Sequence, residues 1–127
     1  MREIIAILAF ASCSVCAADF SDRVAQGNEA IATPEGKVYD ASLAPAIQAA
    51  IAACAPPGLT STGELGKFTL VGYADASGHL SSVVVKPATT VSRCFADKFG
   101  LAELPPPPSS IRWVGAYPVT VAMTITE

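Results

Sequence analysis

Apolar residues recur at helical spacing in two segments of this chain. In residues 40–54 they lie at positions i, i+4, i+8 and i+11, which places them on one face of a helix. These residues are Leu43, Ile47, Ile51 and Cys54. Ser42 is the expected N-cap. A second helix is predicted for residues 88–99, with a threonine cap and Gly100 at its end. Its apolar face carries Cys94.

Between these helices, two short runs of alternating apolar and polar residues predict a β-hairpin. The first strand covers residues 67–74 and the return strand covers residues 80–86, with a turn at 75–78. Ser81 and Ser82 interrupt the alternation of the return strand. We therefore expect a β-bulge at that point.

A third strand is predicted at residues 117–125, where alternation is strict. Its apolar side consists of Val119, Val121, Met123 and Ile125. We read it as the final strand and expect it at an edge of the sheet.

The segment before the first helix is predicted to be irregular. Residues 18–39 contain Gly27, Pro34 and Gly36, which interrupt regular structure, so we expect a loose lead-in with at most a short helix near residues 21–25.

Three further segments are predicted to connect the main elements. Residues 56–66 are mostly polar and predict a loop. Residues 105–108 are consecutive prolines, which favour a stiff polyproline II connector. Residues 111–114, with Trp113, predict a short strand.

The predicted order is helix, strand, strand, helix, strand. This order is typical of the α+β class, here a small antiparallel sheet made of the hairpin and the C-terminal strand, with two helices packed on one face. A chain of 127 residues is long enough for one such domain, which we place at residues 40–127.

Residues 1–17 have the pattern of a cleavable signal peptide. Arg2 supplies a short positive start, residues 4–11 are apolar, and Ala17 completes a small-x-small cleavage pattern. Cleavage after Ala18 fits nearly as well. The sequence therefore predicts a periplasmic or secreted protein.

Two alternatives for this segment stay open. It could form a buried first helix, although residues 4–10 are apolar on every face. Residues 10–13 also resemble a lipoprotein motif, in which Cys13 would carry a lipid and anchor the protein to a membrane. The apolar run at 4–11 is far shorter than the roughly 20 residues of a spanning helix.

The charge distribution argues against polyanionic partners. The formal net charge is −3, and the eight lysines and arginines are scattered along the chain. Nucleic-acid binding requires a basic stripe, and binding to an anionic membrane surface requires a basic cluster. We expect neither partner.

The number of cysteines outside the predicted leader predicts one disulfide. Cys13 and Cys16 belong to the predicted leader, which leaves Cys54 and Cys94 as an even pair in an oxidising compartment. A metal site would need more ligands, because His79 is the only histidine. A Cys–His nucleophile pair with His79 is the remaining alternative.

No catalytic pattern stands out. The chain has no nucleophile-elbow motif, no glycine-rich phosphate loop and no spacing typical of metal ligands. The candidate carboxylates are expected at the surface; they are Glu64, Asp75, Asp97 and Glu103. We therefore predict no enzyme activity, no cofactor and no metal.

The hairpin resembles the central hairpin of TonB C-terminal-type domains. The run GKFTLVGYADASGHLSSVVV at residues 66–85 carries the glycine before the strand, the glycine turn and the bulged return strand. The order of Cys54, Cys94, the prolines at 105–108 and Tyr117-Pro118 is similar to the AgmX/PglI type of that family. The resemblance covers residues 40–127.

The resemblance implies a fold and a mode of use. It independently pairs Cys54 with Cys94. It also implies that the last strand pairs with an extended segment of a partner, which makes Val119, Val121, Met123 and Ile125 the candidate partner-binding residues. Energy transduction is not implied, because the leader is removable and the lead-in of residues 18–39 is short.

Two functions follow as expectations. The first is an exported, non-catalytic protein-binding or adaptor module of the cell envelope, with another envelope or secreted protein as its partner. The second is a small secreted inhibitor or immunity protein against a toxin or an envelope hydrolase. A deep pocket with convergent polar groups would instead favour an enzyme.

Overall fold

The computed structural model of this chain describes residues 19–54, 66–109, 112–113 and 115–125. Its described part contains four helices and one three-stranded antiparallel sheet. In chain order they are α1 (Phe20–Ile31), α2 (Pro34–Ser42), α3 (Ala44–Cys54), β1 (Gly66–Ala74), β2 (Leu80–Lys86), α4 (Thr90–Gly100) and β3 (Tyr117–Ile125). The predicted α+β class is confirmed.

Strand β1 lies in the middle of the sheet, in the order β2-β1-β3. It pairs with β3 without interruption, from Gly66 opposite Ile125 to Ala74 opposite Tyr117. Its pairing with β2 shifts register between Val71 and Tyr73. Ser82, on the facing strand, has a positive φ of 54°. The predicted hairpin and its bulge are confirmed.

The predicted turn between β1 and β2 is stabilised by one carboxylate. Asp75 Oδ1 accepts hydrogen bonds from the backbone N–H groups of Ser77 and His79, at 2.9 and 3.0 Å. Gly78 has a φ of +94°, and a Cβ there would lie 2.0 Å from the carbonyl oxygen of Leu104. The turn therefore packs directly against the segment that leads into the prolines, and this contact requires glycine.

Helices α3 and α4 pack on one face of the sheet, as predicted. Phe68 of β1 faces Phe95 of α4 with ring centroids 5.4 Å apart, and Phe95 stacks on Phe99 at the same distance. Phe95 and Phe99 are fully buried. Complete burial of each ring contributes roughly 2 kcal/mol to the free energy of unfolding. This aromatic row joins α4 to the centre of the sheet.

The predicted disulfide is present and joins these two helices. Cys54 ends α3 and Cys94 lies in the middle of α4, with their Cα atoms 5.7 Å apart. The bridge fixes the C-terminal end of α3 against α4.

The prediction of a loose lead-in is wrong, because residues 20–42 form α1 and α2. The Asp19 side chain caps α1, and Thr33 caps α2, with Pro34 in its first turn. The glycines that suggested breaks are helical, and Gly36 allows α2 to begin against the carbonyl of Ala30.

Helix α1 covers the face of the sheet opposite α3 and α4. The Arg23 guanidinium lies over the ring of Tyr73, 4.7 Å from its centroid, and the Tyr73 hydroxyl donates to Gln26 Oε1 at 3.0 Å. Gly27 lies against Thr120 of β3: a Cβ at Gly27 would be 2.6 Å from Thr120 Cγ2. The sheet is thus covered by helices on both faces, one more layer than the sequence predicted.

The helix predicted at 40–54 begins later in the structure. Ser42, the expected N-cap, ends α2, and its hydroxyl donates to the Tyr39 carbonyl. The Leu43 carbonyl instead accepts the first hydrogen bond of α3, from the N–H of Ile47 at 3.0 Å. A short turn at Leu43 therefore separates two helices where the periodicity suggested one.

The C-terminal connector at residues 103–109 has no regular secondary structure and is held by a side chain. The Tyr39 hydroxyl donates to the Pro105 carbonyl at 2.9 Å. Arg112 and Trp113 lie in a turn rather than in the predicted short strand, whose other two residues are outside the described part.

Several predictions fall outside the described residues. These are the signal peptide at 1–17, lipid attachment at Cys13, and the loop at 56–66 up to residue 65, with Glu64. In the part of the chain that is described, each helix is too short or too polar to cross a membrane.

Replacing both disulfide cysteines should lower stability without changing the fold. The bridge closes a separation of 40 residues, and removing such a constraint typically costs about 2–4 kcal/mol. We expect the Cys54→Ala/Cys94→Ala protein to unfold at lower urea concentration than the oxidised wild type, as followed by circular dichroism. An unchanged midpoint would contradict a stabilising bridge.

Replacing Gly27 by alanine should destabilise the protein, although alanine is the better helix former by about 1 kcal/mol. The added methyl group collides with Thr120, and such overpacking costs typically 1–3 kcal/mol. Thermal unfolding should therefore begin at lower temperature.

The matched control is Gly100→Ala in α4. A Cβ at Gly100 would meet only Val83 Cγ2, at an ordinary contact distance of 3.7 Å. We expect this variant to be as stable as the wild type or more stable. Equal gains from both substitutions would show that α1 does not pack closely on β3.

Candidate functional site

The two edges of the sheet differ in how open they are to another strand. Edge strand β2 carries the bulge at Ser82, and the Arg23 guanidinium donates to the Ser82 carbonyl. Lys86 ends the strand, and Pro87 follows it. Bulges, lysines and prolines are the usual features that keep an edge from pairing. The β2 edge is therefore protected.

Edge strand β3 has none of this protection over most of its length. All nine of its residues are in register with β1, without a bulge. Its only proline is Pro118, near its start. In an edge strand, alternate residues direct their N–H and C=O groups away from the sheet, and no strand of the described chain pairs with that side.

A groove of about 420 Å³ runs along this edge. Val24 and Ile31 of α1 lie on one side, and Ile47 of α3 lies on the other. Its floor is formed by residues 120–123 in the middle of β3, together with Thr69 of the central strand β1. A strand that entered the groove would meet apolar side chains on both sides and the main chain of β3 in front.

Helix α2 covers the first half of the same edge. Tyr39 and Leu43 enclose a cavity of only about 10 Å³ against Tyr117, Val119 and Thr120. The open part of the edge therefore begins where α2 ends.

The four predicted partner-binding residues lie on β3, and the side chains of three of them face the core. Val119 and Val121 are opposite Gly72 and Leu70 of β1, and they are 4% and 5% exposed. Met123 is partly buried against the same core. What β3 offers to a partner is its main chain and the exposed residues Ala122 and Thr124, of which Ala122 also lines the groove.

Ile125, the fourth of these residues, is the last of β3 and pairs opposite Gly66 at the end of the strand.

Asp40 is the only charged residue among the described residues that line the groove. It belongs to the last turns of α2 and lines both the groove and the smaller cavity. Burial raises the pKa of its carboxyl above the ordinary value of 3.8. The carboxylate thus stands partly desolvated at the point where the edge becomes accessible.

Two tyrosines surround this carboxylate on the core side. Their rings pack edge to face, with centroids 5.2 Å apart: Tyr39 of α2 and Tyr117 of β3. Burial raises the pKa of Tyr39 to about 12, with a smaller contribution from Tyr117. Burial, and then the charge of Asp40, raise the pKa of Tyr117. Both phenols are neutral at ordinary pH, so Asp40 is the one charge of this cluster.

The described residues contain a Ser–His–Asp group, but not in catalytic order. Ser77 Oγ lies 2.7 Å from Asp75 Oδ1 and 2.8 Å from His79 Nδ1. In a catalytic triad the carboxylate binds the imidazole nitrogen that faces away from the serine. Here both groups contact the serine, on an exposed turn, and their hydrogen bonds shape that turn.

The other candidate groups are also apart from the groove. Asp97 and Glu103 are exposed, and hydrogen bonds from Ser77 and His79 lower the pKa of Asp75. Among the residues that the structure describes, no group of three or more histidine, cysteine, aspartate or glutamate side chains could hold a metal ion.

The sequence reasoning missed the walls of the groove. It placed Asp40 at the start of a helix and did not single it out. The signals for α1 and α2 were present, since Asp19 and the pair Thr33-Pro34 are typical helix starts. They were outweighed by the glycines at 27 and 36.

Replacing Asp40 by asparagine should stabilise the protein near neutral pH. Because burial favours the protonated carboxyl, the folded protein holds this proton to higher pH than the unfolded chain does. The wild type therefore loses stability relative to Asp40→Asn as the pH rises through and above 3.8.

This pH dependence can be measured by urea unfolding of both proteins in acid and near neutrality. The two midpoints should converge in strong acid and separate in favour of the asparagine variant at higher pH. Asp97→Asn, at an exposed position of α4, controls for the loss of one negative charge. A loss of stability in Asp40→Asn at neutral pH would contradict the desolvated carboxylate.

Comparison with known proteins adds no relative. No protein-family model matches the sequence, and no curated protein and no solved structure is significantly similar to it. The resemblance to TonB C-terminal-type domains thus stays a prediction from the residues of the hairpin, the two cysteines and the proline segments.

Proposed function

We propose that this protein is an exported, non-catalytic binding module that receives an extended segment of another protein along β3. The observation that carries this proposal is the contrast between the two edges of the sheet. The β2 edge is bulged and capped by Arg23, whereas β3 is regular and forms the floor of a groove.

Strand addition suits this groove physically. A bound segment would hydrogen-bond to the outward main-chain groups of β3, and its alternate side chains would enter the space between α1 and α3. The accessible part of the edge, residues 120–123, corresponds to about 13 Å of strand. We therefore expect the docked segment to contribute about four to six residues.

The proposed compartment is the periplasm or the cell exterior. The disulfide between Cys54 and Cys94 is of the kind that persists where thiols are oxidised. The leader pattern at residues 1–17 supports export, and the partner would then be another envelope or secreted protein. The resemblance to TonB C-terminal-type domains supports the same mode of binding, without energy transduction.

Site-specific photo-crosslinking tests this proposal. A photoreactive amino acid replaces Ala122, which is exposed and lines the groove, in protein that is expressed with its leader. We expect a discrete adduct of higher mass after irradiation of whole cells. The matched control places the same amino acid at Ser81, which is exposed on the protected strand β2, and should give no such adduct.

The identity of the adduct separates the candidate functions. Mass spectrometry of an adduct with a toxin or hydrolase would favour the inhibitor function over a general adaptor. An adduct of twice the chain's mass would show that β3 pairs with a second copy. Equal adducts from both positions, or none from position 122, would contradict docking along β3.

A further inference from the structure

Resting on the proposed strand docking, we infer that the groove selects segments that carry a lysine or arginine, whose cationic group pairs with Asp40. This inference specifies the chemistry of the partner. It follows from the charges and the shape of the groove rather than from the open edge itself.

The groove carries one charged side chain in a mostly apolar lining. Its described lining is mostly apolar, with neutral polar groups from Asn28, Thr69 and Thr120, and its single charge is the carboxylate of Asp40. No described basic side chain forms an ion pair with Asp40. The ion pairs of the described part join Glu29 with Arg112 and Asp75 with His79. Among the residues that the structure describes, the carboxylate therefore has no counter-charge in an ion pair.

The position of Asp40 makes its charged form energetically unfavourable. Burial raises the pKa of the Asp40 carboxyl and so disfavours its charged form, and no cation among the described residues forms an ion pair that offsets this cost. A partly desolvated carboxylate gains more from a cationic donor than an exposed one does, because water screens the pair less. Binding of a cation would thus compensate a cost that is already present in the free protein.

Asp40 lies where a docked side chain can reach it. Asp40 lines both the closed cavity under α2 and the open groove. It therefore stands at the boundary between the covered and the accessible parts of β3, near Thr120. A side chain that points from a docked strand toward this boundary would end at the carboxylate.

Lysine and arginine fit this path better than a short cation would. Their methylene stems can cover the apolar surfaces of Ile31 and Ile47 while the charged end reaches the carboxylate. The net charge of −3 also favours encounter with cationic segments over acidic ones.

Binding of defined peptide pools to the mature, disulfide-bonded protein tests the inference. The probes are capped peptides of about six residues. One position is fixed as lysine, arginine, glutamine or glutamate, and the others are drawn from valine, leucine, threonine and serine. Fluorescence anisotropy measures the affinity of each labelled pool.

We expect the lysine and arginine pools to bind about 10- to 100-fold more tightly than the glutamine pool, as for a charge-assisted hydrogen bond. Asp40→Asn should lower the affinity of the lysine and arginine pools to about that of the glutamine pool for the same variant. Asp40→Lys should favour the glutamate pool. Asp97 is exposed on α4 and provides the matched charge control. The Asp97→Asn protein should bind the pools in the same order of affinity as the wild type.

Ala122→Lys separates this inference from the docking proposal. It places a charge on the β3 edge and should weaken binding of every pool. If all pools bind the wild type equally and Ala122→Lys weakens them all, docking stands and selection by Asp40 is wrong.

Two further outcomes would overturn the inference. Binding of no pool at all would contradict both docking and selection. An uncapped glutamine pool that binds as tightly as the capped lysine pool would assign the cation to a peptide amino terminus and not to a side chain.

Discussion

The contact between Gly27 and Thr120 determines which part of β3 another molecule can reach. Because Gly27 has no side chain, α1 lies directly on the strand, and a single methyl group there would collide with Thr120. This close approach brings Val24 and Ile31 of the same helix into the lining of the groove at β3. A helix held further from the sheet would leave β3 without a wall, and the groove would not exist in this form.

The opposite face of the sheet supplies the rigidity that this arrangement needs. The row of Phe68, Phe95 and Phe99 fixes α4 on the sheet, and the disulfide fixes the end of α3 to α4. Since Ile47 of α3 forms the other side of the groove, the bridge indirectly holds the groove's width. The two layers of helices thus meet at one edge of the sheet, where Asp40 is the only charged residue in the described lining of the groove.

Local sequence patterns were sufficient to predict the sheet but not to predict the groove. Alternation located all three strands, and Ser81-Ser82 located the bulge, because these signals depend on neighbours in sequence. The roles of Gly27 and Gly36 depend on distant partners, so the same residues that suggested loops instead allow close packing. Likewise, Val119 and Val121 were recognised as one side of a strand, but only the tertiary structure shows that this side is the core.

Amide hydrogen exchange along β3, followed by NMR in the free protein, tests the central claim most directly. An accessible edge predicts that amide exchange rates alternate along residues 120–124. Amides that donate to β1 exchange slowly, and amides directed into the groove exchange fast. Addition of the lysine peptide pool should slow the fast set. Uniformly slow exchange along β3 in the free, monomeric protein would show that the edge is already covered, and would contradict the account.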